Sequence, residues 1–161
     1  MQEQNKSLLS AIKAYIEKCP FLSDIDLHID RTESEPVNYS IQAAGLTKIK
    51  TDVLGNQTWQ YNVILQSREY TTDDLERLNA STFTEGFIFW VDDNNENDIL
   101  PELADKFKAI QITADNGICL YVDDNGDRGI YQIQIHLLFE REVNLYGKTK
   151  KKCIIAPFAK S

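Results

Sequence analysis

The sequence has few of the side chains on which covalent cross-linking and catalysis usually depend. It contains three cysteines and two histidines. The cysteines, Cys19, Cys119 and Cys153, are odd in number, far apart and in no C-x-x-C pair. That pattern predicts reduced thiols in a cytosolic compartment, where they serve as packing residues.

Long apolar runs are also lacking. Lys6, Lys13, Glu17 and Lys18 interrupt the N-terminal stretch, so it has neither the apolar centre of a signal peptide nor the roughly 20 residues of a membrane span. We expect no membrane contact and a protein that stays where it is translated. The 161 residues, 42% hydrophobic and 26% charged, predict one soluble domain over residues 1–147 and a basic tail over residues 148–161.

Charge is distributed unevenly along the chain. Residues 73–105 hold ten acids and one basic residue, so this segment carries a net charge of −9, whereas the whole chain carries −8. The last 14 residues hold five lysines and no acid. A nucleic-acid binder needs an extended basic face, so we expect no sequence-specific binding. The acidic segment is either an ordinary solvated surface or one that repels passing DNA. The lysine-rich end is either a solvated tail or an arm that docks on an acidic neighbour.

Hydrophobic spacing in the first half predicts one helix followed by four strands. The helix has Leu8, Leu9, Ile12, Tyr15 and Ile16 on one face. We expect Asn5 to cap it and Pro20 to end it. The strands are marked by Leu27 and Ile29, by Val37, Tyr39 and Ile41, by Ile49, Thr51 and Val53, and by Trp59, Tyr61, Val63 and Leu65. Turn-forming residues separate them at "SEP", at Ala44-Gly45 and at Leu54-Gly55-Asn56.

The next segment predicts a second helix. It begins near Asp73 and stops at "DDNNEND", with Leu75, Leu78, Phe83, Phe87 and Trp90 on one side. Gly86 lies inside this pattern, where glycine costs about 1 kcal/mol relative to alanine. We therefore expect a close packing contact at Gly86. Pro101 predicts a short further helical turn through Phe107.

The last part predicts strands at residues 109–113 and 118–122, joined by "ADNG", and a long strand over residues 129–142. Alternation along the long strand places Tyr131, Ile133, Ile135, Leu137 and Phe139 on one face and Gln132, Gln134, His136 and Glu140 on the other. The predicted fold is α+β, with an antiparallel or mixed sheet of about six to seven strands and helices packed on one face.

Two stretches invite a metal-site interpretation. In "YVDDNGDRGI" neither glycine register supplies the ligands of a calcium loop, and Asp-Asn-Gly between strands favours a hairpin turn. Asp26, His28 and Asp30 share one face of a strand, which allows a metal or acid-base site, although the ordinary interpretation is a solvated face. No nucleophile-elbow, phosphate-loop, dinucleotide or H-E-x-x-H motif occurs. We therefore predict no catalytic, cofactor-binding or metal-ligating residues, no cofactor and no enzymatic activity.

Several stretches together resemble one protein family. They are "IKAYIEKCPFL", "NYSIQ", "WQYNVILQSREYTTDDLERLNASTF", "FIFWV", "ILPEL" and "IYQIQIHLLFE", which lie in that order within residues 8–142. Their order and spacing resemble the minor capsid or tail-terminator-like proteins of tailed bacteriophages and prophages. The resemblance implies an α+β fold and a structural role, without catalytic residues, in which subunits assemble as a ring at the head-to-tail junction.

This resemblance implies the protein's location and partners. We expect the host cytoplasm before assembly and the virion afterwards, with self-association and docking on tail-tube or head-connector proteins, and with DNA passing through the ring. Projecting turns over residues 44–57 and 123–129 are the candidate contacts. The candidate interface residues are Lys48, Lys50, Asp52, Asp124, Asn125, Asp127 and Arg128. A stand-alone adaptor that binds one protein through its sheet edge, and a small metal-dependent enzyme that uses His28 and Asp30, are the alternatives.

Overall fold

A computed structural model describes residues 7–22, 27–29, 38–70, 74–122 and 128–143. The elements are α1 (Leu8–Ile16), a 3-10 turn (Pro20–Leu22), β1 (Leu27–Ile29), β2 (Asn38–Thr51), β3 (Gln57–Tyr70), α2 (Asp74–Glu96), β4 (Phe107–Val122) and β5 (Arg128–Arg141). The fold is α+β, as the sequence predicts.

The described strands form one sheet in the order β1-β2-β3-β5-β4. The three-residue β1 is parallel to β2, and the four long strands are antiparallel to their neighbours. The described residues therefore form five strands, and the prediction of six to seven was wrong. It divided each of two long strands, β2 and β4, at a site that carries turn-forming residues.

The first of these sites is Ala44-Gly45 in β2. No turn forms there; the pairing with β3 shifts register between Ala43 and Gly45 and then continues. Gly45 has a φ of 136°, a conformation that glycine adopts without the steric cost of a Cβ. The glycine thus forms a β-bulge within one strand, which local sequence does not distinguish from a turn.

The second site is "ADNG" in β4. Asn116 has a φ of 57°, and the register with β5 shifts between Asp115 and Ile118, yet the strand continues. Gly117 lies directly under α2: a Cβ added there would be 1.9 Å from Cγ2 of Thr84, whose residue is 4% exposed. The glycine permits this close approach of helix and sheet, a tertiary requirement that a single sequence does not reveal.

Both helices pack on the same face of the sheet. The buried side chains of α1 and α2 form one cluster with those of the strands. Its central members are Ile12, Ile16, Ile41, Val63, Leu65, Phe87, Val91, Ile112, Ile135 and Leu137. In β5 four of the five predicted inward residues, Ile133, Ile135, Leu137 and Phe139, are buried, and Tyr131 is partly exposed, as are Gln132, Gln134, His136 and Glu140 on the opposite face. The alternation predicted for β5 is confirmed there.

The helix ends differ from the prediction. Ser7 caps α1, because its Oγ accepts a hydrogen bond from the Ser10 amide at 3.1 Å; the prediction of Asn5 was wrong. At the end of α2, Asp98 has a φ of 62°, and the Ile99 amide donates to the Asn94 carbonyl at 2.8 Å. This is the Schellman geometry with aspartate where glycine is usual.

The stretch "DDNNEND" does not stop α2 at once. The helix continues through the first five of these residues and ends at Glu96, because two asparagines inside the stretch bond to other parts of the fold. Asn94 Nδ2 donates to the Tyr15 hydroxyl at 3.2 Å, and Asn95 Oδ1 accepts from the Ile112 amide at 2.9 Å. After α2, residues 101–106 contain no helix, so the helical turn expected at Pro101 was wrong.

The close contact expected at Gly86 is present. A Cβ added there would lie 2.9 Å from Cζ of Phe21. Phe21 is 48% exposed, so its ring has room to move. The two close-packed glycines therefore differ: Gly86 faces the far end of a half-exposed side chain, and Gly117 faces a buried β-branched one.

Gly117→Ala tests the helix-sheet contact. We expect it to lower the free energy of unfolding by about 1–3 kcal/mol, since the new methyl overpacks the interface. Thr84→Ser removes only the Cγ2 methyl, so it should restore most of that loss in the double variant. Gly86→Ala is the matched control and should be nearly neutral. Urea unfolding of the parent, the two single variants Gly117→Ala and Thr84→Ser, and their double variant gives the coupling free energy between the two sites. Additive effects of the two substitutions would contradict the contact.

Cys19 is the one native thiol whose side chain is described, and it is 1% exposed in the core. Burial raises the pKa of this thiol, more than a backbone hydrogen bond at Phe21 lowers it. A raised pKa leaves less thiolate at a given pH. The prediction that Cys19 is a packing residue is confirmed, while Cys119 and Cys153 lie outside the described side chains.

The burial of the Cys19 thiol predicts that it is alkylated slowly. At pH 8, iodoacetamide should alkylate Cys19 many times more slowly in the folded protein than in guanidinium chloride, because the thiol is both shielded and protonated. Mass spectrometry of the peptide that contains Cys19 measures the rate. Equal rates in the two solvents would place this thiol at the surface.

Candidate interaction surface

The β2–β3 hairpin extends beyond the part of the sheet that β1 covers. β1 pairs only with residues 39–41 of β2. From Ala43 to Thr51 every residue of β2 is exposed, and among the described strands β3 is the sole neighbour of this stretch. We call residues 43–60 the arm. Its outer strand leaves backbone donors and acceptors on an open edge.

The tip of the arm is a turn organised by Asp52. Its Oδ1 atom accepts hydrogen bonds from the amides of Leu54 at 2.8 Å and Asn56 at 2.9 Å. The Asp52 amide donates to the Asn56 carbonyl at 2.9 Å, and Gly55 has a φ of 93°. An aspartate that bonds to the backbone two residues ahead is a common way to fix a turn. The turn predicted at residues 54–56 is therefore confirmed, one to two residues wider.

This turn presents two apolar side chains to solvent. Val53 is 99% exposed and Leu54 is 73% exposed. Leu46 and Ile49, farther down the arm, are each about half exposed. Scattered exposed apolar residues are normal, whereas adjacent exposed apolar residues are typical of interaction sites, so the pair in the turn is a candidate. We call Val53 and Leu54 the tip.

An apolar pocket lies beside the arm, on the side of the sheet that carries the helices; its walls Phe107 and Arg141 are level with Gln57 and Thr51. Its volume is about 300 Å³, and its walls are Leu8, Leu46, Trp59, Phe107, Phe139 and Arg141. Phe107 and Phe139 meet edge to face with ring centroids 5.3 Å apart. The Gln57 Oε1 atom accepts from Trp59 Nε1 at 2.9 Å and from Arg141 Nη1 at 3.2 Å. The pocket is thus aromatic inside, with one guanidinium at its rim.

The opposite face of the sheet carries a polar network. Asn62 Oδ1 accepts from Gln60 Nε2 at 2.9 Å and lies 2.7 Å from His136 Nδ1. Because this amide oxygen only accepts, His136 Nδ1 must be the donor. His136 Nε2 is 3.6 Å from Asp115 Oδ1, an ion pair only when the imidazole is charged. The network links the polar faces of β3, β5 and the edge strand β4.

The predicted interface residues have different positions. Lys48 lies opposite Trp59 and Lys50 opposite Thr58, and the register shift between the two lysines puts them on opposite faces of the arm. Asp52 organises the tip rather than presenting a free carboxylate. Asp124, Asn125 and Asp127 lie outside the described residues, as does the side chain of Arg128. Sequence reasoning missed the exposure of the tip; the only signal was an apolar pair beside the Gly55-Asn56 turn.

The metal hypothesis gains no geometry from the described residues. Asp26 and Asp30 lie outside them, and only the backbone of His28 is described. His28 and His136 are on strands separated by β2 and β3, and the residue of β5 in register with His28 is Gln132, four residues from His136. At the usual strand spacing and rise per residue, their backbones are about 20 Å apart. Within the described ranges, no group of three or more His, Cys, Asp or Glu side chains is placed to hold a metal ion.

No protein-family model matches the chain, and a search of curated proteins finds no match. Among the described helices, none is both long enough and apolar enough to cross a membrane.

The role of Asp52 is testable by two substitutions. Asp52→Ala should lower the free energy of unfolding by about 1 kcal/mol, because two backbone amides lose their acceptor. Asp52→Asn keeps an oxygen at the same position and should lose much less. Thermal unfolding compares both with the parent protein. If the two variants are equally destabilised, the charge of Asp52 and not its acceptor geometry stabilises the tip.

Proposed function

We propose that the chain is a structural protein of a tailed bacteriophage or prophage, of the tail-terminator or minor-capsid type. It acts at the head-to-tail junction by self-association, as a ring, and by docking on tail-tube or connector subunits. The sequence resemblance motivates the proposal. The observation that supports it best is the fixed turn of the arm, which lies past the last paired residues of the hairpin and exposes Val53 and Leu54.

The arm suits a protein that works by contact. An interface gains most of its binding energy from apolar side chains that enter a neighbour's pocket. The tip provides such side chains on an element whose backbone is already ordered, so little conformational entropy is lost when it docks. A ring subunit needs two different complementary surfaces, and repeated head-to-tail contacts close when the rotation allows.

The acidic end of α2 fits the same role. Asp92, Asp93 and Glu96 are exposed, and residues 92–105 hold six acids and no basic residue. A negative surface repels the DNA backbone. In a ring whose lumen carries this segment, DNA passes without being held, which agrees with the expectation that the chain does not recognise nucleic-acid sequence.

Deletion and complementation test the proposal. In a phage or inducible prophage that carries this gene, deletion should leave filled heads and tails unjoined in electron micrographs. The parent gene should restore joined particles, whereas Val53→Asp/Leu54→Asp should not, because two carboxylates cannot enter an apolar site. Ile110→Asp is the matched control: Ile110 is 42% exposed on β4, away from the arm. Normal particles after deletion would refute the role.

A stand-alone adaptor is the second candidate, favoured by the open β2 edge. An extended peptide could add a strand along residues 43–51. Two features of the edge oppose this: the pairing of β2 has two register shifts, and Lys48 and Lys50 are exposed on it. Bulges and lysines are the usual means by which edge strands avoid further pairing.

The adaptor and the ring subunit predict different effects of a backbone block. Ile49→Pro removes one backbone donor of β2 and fixes its φ, so it should weaken binding of an added strand. Val53→Asp/Leu54→Asp leaves the edge intact. Loss of particle joining with the tip variant, and retention with a folded Ile49→Pro variant, supports the ring subunit. The reverse pattern supports the adaptor.

A further inference from the structure

We propose that the apolar pocket beside the arm is a binding site for a small apolar carboxylate. The hydrocarbon part of the ligand packs against Trp59, Phe107 and Phe139, and its carboxylate binds the guanidinium of Arg141. Such a site is independent of assembly into a ring and goes beyond the proposed function. The class of ligand follows from the lining of the pocket and from the charges at its rim.

The interior of the pocket suits a hydrocarbon. Five of its six walls are apolar or aromatic, and Arg141 is the charged one. The edge-to-face contact of Phe107 with Phe139 joins two neighbouring strands, so the aromatic surface is already ordered. The volume of about 300 Å³ is at the small end of ligand pockets, which run from roughly 300 to 1,000 Å³. A ligand of modest size, such as a medium-chain acid, therefore matches the space.

Arg141 supplies a partner for an anion. Its Nη1 atom donates to Gln57 Oε1 at 3.2 Å, and the same oxygen accepts from Trp59 Nε1 at 2.9 Å. The shared acceptor holds the guanidinium beside the indole that forms a wall of the pocket. A guanidinium has five N–H donors in a planar fork that matches the two oxygens of a carboxylate. Arg141 therefore keeps donors for a ligand after its bond to Gln57.

Lys48 adds a second cation on the same side of the sheet. It is exposed and lies directly opposite Trp59 in the pairing of β2 with β3. Directly opposed side chains of paired strands share one face, so the ammonium, on a flexible four-carbon stem, extends near the pocket rim. The exposed acids Asp52 and Asp105 form no ion pair with Lys48 or Arg141 within the part of the chain that the structure describes.

The acids next to Arg141 in the chain point away from the pocket. Glu140 and Glu142 flank Arg141, and neighbouring residues of an extended strand alternate between the two faces of the sheet. Glu140 is in register with Lys108, and the Glu142 amide donates to the Lys106 carbonyl at 3.0 Å. These two acids thus lie near two exposed lysines on the opposite face and leave the charge at the pocket rim positive.

The combination selects an apolar acid among the possible occupants. An apolar pocket alone takes any hydrocarbon, whereas a guanidinium without a carboxylate partner favours a ligand that ends in an anion. Hydrogen bonds between ionised groups are roughly twice as strong as neutral ones. The lysine-rich end of the chain, residues 148–161, has charge of the same sign as the rim, which disfavours it as the occupant.

Tryptophan fluorescence tests the site in the full chain at pH 7. The sequence has two tryptophans, so Trp90→Phe leaves the pocket wall Trp59 as the sole reporter. Octanoate is the probe, and 1-octanol and octylamine carry the same hydrocarbon with a neutral or a positive head. We expect octanoate to bind roughly tenfold more tightly than 1-octanol, the factor expected from a charge-assisted hydrogen bond. Octylamine should bind more weakly than 1-octanol.

Substitutions at the rim assign the carboxylate to its partner. Arg141→Gln should weaken octanoate binding about tenfold and leave 1-octanol binding unchanged, which also shows that the variant keeps its pocket. Lys48→Gln should weaken octanoate binding less, because its ammonium is a flexible point charge. Lys50→Gln is the matched control and should have no effect, since the register shift puts Lys50 on the opposite face of the arm.

Three results would overturn the inference. They are equal affinities for octanoate and 1-octanol, an octanoate affinity that Arg141→Gln does not reduce, and octanoate binding that appears only after removal of residues 148–161. In the last case the chain's own end occupies the pocket. Particle joining is not measured in this experiment, so the proposed function stands or falls separately.

Discussion

The uninterrupted pairing of β3 with β5 is the constraint on which the rest of the structure depends. These 14-residue strands pair along their full length without a register shift, from Gln57–Arg141 to Tyr70–Arg128. A slip of one residue would turn Val63, Leu65 and their β5 partners toward the polar face and bring Asn62 and His136 into the core. The cost of burying those polar groups fixes the register, and the helices then have one apolar face to cover.

The outer strands deviate from this regular centre, and their deviations produce the features on which the proposals depend. Both β2 and β4 contain bulges where they pair with the central strands. In β4 the irregularity brings Gly117 against Thr84 and seats α2. In β2 the register shifts lie where the hairpin continues past β1, in a stretch whose side chains are exposed. The register shifts in β4 thus accompany close packing of α2 at one edge of the sheet, and those in β2 lie in the exposed arm at the other edge.

Sequence patterns predicted the features that depend on local periodicity. The alternation in β5, the first helix and the close contact at Gly86 follow from the residues alone. The strand count does not, because the residues that tolerate positive φ serve bulges as well as turns, and only a tertiary partner decides between them. Gly45 and Asn116 are the two cases. For the candidate site, Lys48, Lys50 and Asp52 lie in the arm as the hairpin prediction requires. The exposure of Val53 depends on the turn lying past the last paired residues, Thr51 and Gln57, which the spacing of apolar residues does not encode.

The energetics of the tip argue that a single contact is weak. Burying a valine or leucine side chain contributes roughly 1.5–3 kcal/mol, whereas association costs about 4–15 kcal/mol in lost translational and rotational freedom. One docked tip therefore gives a transient contact. In the proposed ring the contacts repeat between neighbours, and the last contact forms within the assembly at a high effective concentration. A neighbouring tail tube that holds the subunits side by side has the same effect. The tip is thus suited to subunits that remain separate in solution and assemble when a template brings them together.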